Sequence, residues 1–302
     1  MDQSERGFLH AVQRSPILRI AMLVVLLASW IACGGGSPTQ PSGPPAAGSM
    51  IVWAAIGASD VTGVGSSVPC PLIDCADGRG YVAVAARTLR AQGFTIDLLN
   101  LGIPTAVIGR DFETLGQQYN HFIAGNFIDQ EAPFVQKNAT LVTIFAGLNE
   151  INTVTAALGG GAGGSDPNGY VDAQVRAFSA DFSTLLRTVS DRAGSPRRVI
   201  LNVPNPAGMP YLASAGLAQR QAAQRAAVGM TRTAVNPLAA SNTVVIDLMC
   251  DARSYQASTF SSDGLHPNDA GYAFIASEVV RAITSASYPA PQSSCSFMSI
   301  VP

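Results

Sequence analysis

The chain has 302 residues, 47% of them hydrophobic and 13% charged, with a formal net charge of −2. That composition excludes a disordered chain, and the slight acidity without long basic runs excludes nucleic acid as a main partner. No internal repeat is visible, and the length allows one large domain or two small ones.

A targeting segment opens the chain. Arg6, Arg14 and Arg19 precede an apolar stretch at residues 20–32 that is short for a membrane span. It ends at Ala32-Cys33, followed by Gly34-Gly35-Gly36-Ser37. A small residue before a single cysteine, then a polar tether, resembles a bacterial lipoprotein signal. Residues 1–32 are then the signal and Cys33 the lipidated residue that holds the protein on a membrane facing the periplasm or the cell exterior. Trp30 departs from that pattern, standing where such signals usually carry Leu. Plain secretory cleavage and an uncleaved anchor are the other readings, and all three imply export. Residues 33–49, rich in Gly, Ser and Pro, read as a flexible linker.

Next comes an almost wholly apolar run at residues 51–56, suited to a buried parallel strand, with Trp53 in the core. It gives way to a small, polar passage containing Ser59 and Asp60. Residues 79–92 read as a helix stopped by Gly93, and 95–101 as a second strand ending at Gly102. A third strand at 139–146 ends at Gly147-Leu148-Asn149-Glu150. Residues 159–164 form a glycine-rich loop that lacks the Lys-Ser/Thr ending of a phosphate cradle and is expected to be a mobile segment near the site. Asp166-Pro167-Asn168-Gly169 is a turn signal. A long amphipathic helix at 170–193, a fourth strand at 198–203, an Ala-rich helix at 213–235, a fifth strand at 243–248 and a last helix from Pro267 to about Ser285 complete the series. Strands alternating with helices predict a three-layer α/β/α sandwich around a five-stranded parallel, flavodoxin-like sheet. The domain is expected at 50–287, with 288–302 a strap over its surface.

Setting Cys33 aside leaves Cys70, Cys75, Cys250 and Cys295, an even number suited to an oxidising compartment. Four cysteines permit three pairings. Cys70–Cys75, closing a small loop, and Cys250–Cys295, pinning the tail, are favoured. A zinc site is the competing explanation, but the spacings suit it poorly and no histidine accompanies them.

The chemistry-bearing residues stand just past strand ends, where open α/β sheets gather their ligands. Asp263-Gly264-Leu265-His266 is followed by proline, and an Asp three residues before a His can fold its carboxylate back onto the imidazole. That fixes the tautomer and supports a serine nucleophile. The bland alternative is a surface turn leading into the last helix. Taken together, Gly57-Ala58-Ser59-Asp60, Asn100-Leu101-Gly102-Ile103, Gly147-Leu148-Asn149-Glu150 and Asp263-x-x-His266 resemble the four blocks of the SGNH (GDSL-like) hydrolase family, over nearly all of residues 50–285. The resemblance implies Ser59 as nucleophile, His266 as base, Asp263 as its orienting acid, and an oxyanion hole from the Ser59 and Gly102 backbone N–H groups and the Asn149 amide. Ala58 and Glu150 depart from the family's usual Asp at each position, which puts the loop-anchoring hydrogen bonds in question. An α/β-hydrolase is a poorer match, because Val61 stands where Gly-x-Ser-x-Gly needs its second glycine.

The expected function is therefore hydrolysis of an acyl ester, on a lipid, a small ester or an acetylated carbohydrate, by a monomer that needs no cofactor. The rival from another class is a noncatalytic surface lipoprotein that binds glycan or lipid on the same fold. Loops at 61–78, 103–112, 148–169 and 204–212 are expected to set the substrate. His121 is expected at a helix end or surface, and Asp60 and Glu150 in turn hydrogen bonding. Asn138-Ala139-Thr140 matches a glycosylation pattern without consequence in a bacterium.

Overall fold

A computed structural model describes residues 43–70, 74–240 and 242–302. The expected signal, Cys33 and most of the linker lie outside the described residues. Five parallel strands form one sheet: β1 (Met50–Gly57), β2 (Thr95–Asn100), β3 (Leu141–Phe145), β4 (Arg197–Leu201) and β5 (Thr243–Ile246), in the order β2-β1-β3-β4-β5. This is the flavodoxin-like order read from the alternation of strands and helices. Among the described residues the α-helices are α1 (Ser59–Thr62), α2 (Tyr81–Ala91), α3 (Arg110–Gln118), α4 (Phe127–Gln130), α5 (Leu148–Gly159), α6 (Pro167–Ala193), α7 (Leu217–Met230) and α8 (Asp269–Thr284). Helices α2 and α8 pack together on one side, while α3, α5, α6 and α7 form the other layer.

Burial explains the strand composition. Every residue of β3 and all but the first of β1 is buried, so each needs apolar side chains facing both helix layers. Trp53 lies fully inside and still satisfies its indole N–H, which donates to Thr143 Oγ1 at 2.9 Å on the neighbouring strand. From β1 the chain runs outward to β2, then returns across β1 to β3. The reversal leaves a crevice at the carboxyl ends of β1 and β3, the usual ligand position in such sheets.

Several loop expectations need correction. Residues 148–159 are helix α5, although Gly147-Leu148-Asn149-Glu150 reads as loop, while the glycine-rich stretch beyond Gly159 is turn, as expected. The Glu150 side chain accepts from the Gly147 N–H at 2.8 Å, a local bond that starts the helix. Asp166-Pro167-Asn168-Gly169 is a helix start rather than a free turn: Asp166 caps α6 by accepting from the Gly169 N–H at 2.9 Å, with Pro167 in the first turn. The glycine-rich segment thus leads straight into a helix. The Ala-rich helix starts later than its alanines suggest, at Leu217, and passes into a π-turn at Thr231–Val235.

Two disulfides join Cys70 to Cys75 and Cys250 to Cys295, the favoured pairing. Beyond Cys295 the tail lies on the domain. Phe297 stacks on Tyr255 at 4.2 Å, its carbonyl accepts from Asn205 Nδ2 at 2.9 Å, and Gln224 Oε1 takes the N–H groups of Ile300 and Val301. Residues 43–45, in the stretch expected as linker, are half-buried, and Gly43 and Pro45 share a cleft with Arg197 and Ile283. Among the described residues no helix is long and apolar enough to cross a membrane.

Candidate active site

Strand β1 ends at Gly57, and Ser59 begins the single turn α1 two residues later. The turn needs that glycine. Its φ of +148° is unfavourable for other residues, and a Cβ there would meet the Phe145 carbonyl oxygen at 2.5 Å. Thr62 Oγ1 donates to the Ser59 carbonyl at 2.9 Å and fixes the turn from its far end. The loop then passes Gly65, φ +91°, where a Cβ would lie 2.6 Å from the Cβ of His266. Bare backbone at Gly65 lets the histidine loop close onto the serine loop.

There His266 Nε2 stands 2.8 Å from Ser59 Oγ, and His266 Nδ1 stands 2.7 Å from Asp263 Oδ2. The remaining oxygen of Asp263 accepts from Ser261 Oγ at 2.7 Å and from the backbone N–H groups of Leu265 and His266 at 2.8 and 2.9 Å. Partial burial opposes the charge on Asp263, but these hydrogen bonds outweigh it and hold the carboxyl below the usual carboxylate range. Ser59 is 8% exposed.

The other expected site residues border this centre unequally. Asn149 is the second residue of α5 and its amide donates to the Ala106 carbonyl at 2.8 Å, which uses one of its two N–H bonds. Gly102 lies against the α1 turn, and a Cβ on it would be 3.0 Å from side-chain atoms of Val61 and Thr62. Its N–H is already directed at Asn100 Oδ1, 3.1 Å away. The Ser59 N–H has no partner among the described residues.

Acidic groups absent from a simple triad lie underneath. Asp60 is buried beside His266 and Asp263, and burial raises its carboxyl above the ordinary value, against the pull of His266. Glu150 accepts from Gly147 and from the Ile108 N–H, joining the end of β3 to the loop after β2; burial pushes it up to about 7. Thus Glu150 anchors loops as expected, although it is longer than the usual Asp. Sequence reading missed Glu131, which is fully buried and accepts from the Gly57 N–H at 2.8 Å. It missed Asn100 too, whose Nδ2 donates to the carbonyls of Val61 and Cys70 while its oxygen holds Gly102. The signal for Asn100 was its place at the strand end; Glu131 sits in a stretch with no periodicity. His121 is a half-buried residue just past α3. Among the described residues no group of His, Cys, Asp and Glu side chains is arranged to hold a metal ion.

Comparisons with known proteins show the family and the fold. The sequence profile of the GDSL-like Lipase/Acylhydrolase family matches residues 55–274, most of the chain, and the chain belongs to that family of ester-hydrolysing enzymes. Solved structures with the same fold include a lipase, Lip_vut3, from a goat rumen metagenome, with a TM-score of 0.54 at 16% identity over 77% of this chain and 97% of that one. An extracellular lipase from Streptomyces rimosus gives a TM-score of 0.53 at 17% identity over 78% of this chain and 100% of that one. A search of the curated proteins found no match.

Proposed function

We propose that this protein is an exported serine esterase that transfers an acyl group from an ester to water through Ser59, His266 and Asp263. The observation that carries the reading is the unbroken hydrogen-bonded line from Ser59 Oγ through both ring nitrogens of His266 to Asp263 Oδ2. Ser59 Oγ attacks the ester carbonyl while His266 Nε2 takes its proton. The acyl carbon–oxygen bond then breaks, and His266 returns the proton to the departing alcohol. Water reverses the roles and frees the acid. Asp263, kept ionised by its hydrogen bonds, stabilises the imidazolium and holds Nδ1 protonated.

The oxyanion formed in each step needs preorganised donors. The Ser59 N–H and the second Asn149 amide hydrogen are the two without a partner among the described residues. Gly102 contributes only by sharing an N–H already held by Asn100. The two disulfides suit the periplasm or the cell exterior. Lipidation at Cys33 would tether the domain at 50–287, with its strap at 288–302, to a membrane.

The test is labelling of the protein with a fluorophosphonate, comparing wild type with Ser59→Ala and His266→Ala. Labelling of wild type alone is expected. A well-folded wild type that takes no label would favour the rival reading, a noncatalytic binding lipoprotein.

A further inference from the structure

A cleft of about 860 Å³ opens between α5, the start of α6 and the start of α7, within the usual size range of small-molecule sites. Two features join it to the catalytic centre. Tyr211 lines it, and the Tyr211 N–H donates at 3.0 Å to the carbonyl of Gly264, in the loop that carries Asp263 and His266. Asn152, Thr155 and Gly159 line it as well, and their spacing continues the face of α5 on which Asn149 begins. At about 1.5 Å per residue, the cleft follows that helix from Asn152 to Gly159 for roughly 10 Å.

Its lining mixes amide and hydroxyl side chains with small apolar ones such as Leu158 and Val171, and among the described residues no Asp, Glu, Lys or Arg lines it. Burial lowers His121, at one edge, below the ordinary histidine value, which leaves that ring neutral near pH 7. The side chains of Asn152, Asn168 and Gln219 make no hydrogen bond with the described residues, so their amides are available to a ligand. Amides both donate and accept, as hydroxyl groups do. Tyr211, 39% exposed, adds an aromatic surface. A phosphate or carboxylate headgroup would find no counter-charge here. A long acyl chain would have to displace water from the amides without replacing its hydrogen bonds.

A second cavity is of the opposite kind. It is small, about 40 Å³, and lined mainly by apolar side chains including Phe145, Met209 and Phe274. Asp60, Leu148 and Leu265 also line it, and these are the chain neighbours of Ser59, Asn149 and His266. A single water takes about 10–15 Å³ by the same measure, so the space holds about three such groups. An acetyl unit fits that volume and a fatty acyl chain does not.

Building on the esterase reading, we propose that the cleft binds the alcohol half of the substrate, an uncharged carbohydrate, whose short acyl ester enters the apolar cavity. Hydrolysis breaks the bond between acyl carbon and sugar oxygen, leaving a free hydroxyl on the sugar and a small carboxylic acid.

The test uses the full chain carrying Ser59→Ala, with an O-acetylated tetrasaccharide as the probe in titration calorimetry. Asn168→Ala and Gln219→Ala, made together in that background, are expected to weaken binding about tenfold or more, since each neutral hydrogen bond is worth about fivefold. Unchanged affinity, or no binding before the substitutions, overturns the cleft assignment. In the active chain the same pair lowers the ratio of kcat/KM for the acetylated tetrasaccharide to that for p-nitrophenyl acetate. A wild type that hydrolyses long-chain triacylglycerol in preference to the acetylated sugar overturns the substrate class. Absence of Ser59-dependent turnover of any of these esters overturns the esterase reading, and with it the role of the cleft in catalysis.

Discussion

Ser59 Oγ and His266 Nε2 meet at 2.8 Å although 207 positions separate them in the chain. Nothing local to either residue produces that contact. It follows from the sheet order, which sets the carboxyl end of β1 beside the loop that enters α8, and from Gly65, whose missing side chain leaves room for His266. Asp263 completes the line from within the same loop as His266, with its carboxylate fixed by two backbone N–H groups. Asp263→Asn should preserve the fold yet cut kcat by about 10³–10⁴, because the amide no longer stabilises the imidazolium and favours the wrong tautomer. Steady-state kinetics on an aryl ester, with circular dichroism as the control, would check this. A loss under tenfold would remove Asp263 from the reaction.

Asn149 has one amide hydrogen on Ala106 and one to spare. Asn149→Ala should lower kcat by about 10²–10³ and leave KM nearly unchanged, the expected effect of losing a donor that acts on the transition state. Gly102 cannot be tested by side-chain removal. Asn100→Ala frees the Gly102 N–H but also strips the Val61 and Cys70 carbonyls of their donor. A fall in thermal stability is therefore expected there alongside any change in rate.

These residues were legible in the sequence to different degrees, for physical reasons. Ser59, Asp263 and His266 could be read because strand-end position and an Asp-x-x-His spacing carry their chemistry locally. The sheet was legible from apolar runs separated by glycine. Helix α5 was not, since its first turn is Leu148-Asn149-Glu150 and its start depends on Glu150 reaching back to Gly147. Tyr211 has no recognisable spacing from the triad; only the 3.0 Å bond to Gly264 brings it there. Glu131 was illegible because a lone glutamate after Asp129-Gln130 looks solvated, whereas its partner is 74 positions earlier.

The buried Glu150 carboxyl, pushed up to about 7, makes stability depend on pH in a definite direction. Its folded value exceeds the ordinary 4.5, so between those two values the folded state holds more proton than the unfolded chain. Stability from this group is then greatest at low pH and falls as pH rises toward 7, by an amount on the order of 3 kcal/mol. Glu150→Gln should be less stable than wild type at pH 5, by about 1–3 kcal/mol, because an amide cannot accept both the Gly147 and Ile108 N–H groups. That gap should narrow by pH 8. Urea unfolding at the two pH values measures it, and a gap that stays constant or widens with pH would mean that burial does not hold a proton on Glu150 in the folded state.

Cys250–Cys295 bridges residues 45 positions apart and holds the tail whose Phe297 carbonyl and Ile300 N–H satisfy Asn205 and Gln224. Cys250→Ser with Cys295→Ser should destabilise the protein by about 2–4 kcal/mol. Asn205 also anchors residues 204–212, the segment that presents Tyr211, through the Ala207 N–H. Loss of the bridge should therefore reduce turnover of a bulky ester more than that of p-nitrophenyl acetate. Equal losses on both esters would show that the strap stabilises the domain without shaping the cleft.

Glu131 offers the sharpest separation of positioning from plain stability. Its carboxylate takes the N–H of Gly57, two residues before Ser59, inside a fully buried environment, and burial keeps it well above the ordinary glutamate value. Glu131→Ala leaves that N–H without an acceptor, at a cost of about 1–3 kcal/mol. It also frees the strand end from which the serine turn springs. A shift of Ser59 by even a fraction of an ångström lengthens its approach to both His266 and the ester, and misplacement of this kind lowers rates by up to about 10²-fold. Glu131→Gln keeps an oxygen able to accept from Gly57, so it should recover most of kcat even if stability stays below wild type. The measurement is kcat and KM on p-nitrophenyl acetate beside the melting temperature for both variants. A low kcat in Ala restored in Gln, with KM steady, assigns Glu131 to the placement of the nucleophile. A melting temperature that falls in Ala while kcat holds would confine it to the core.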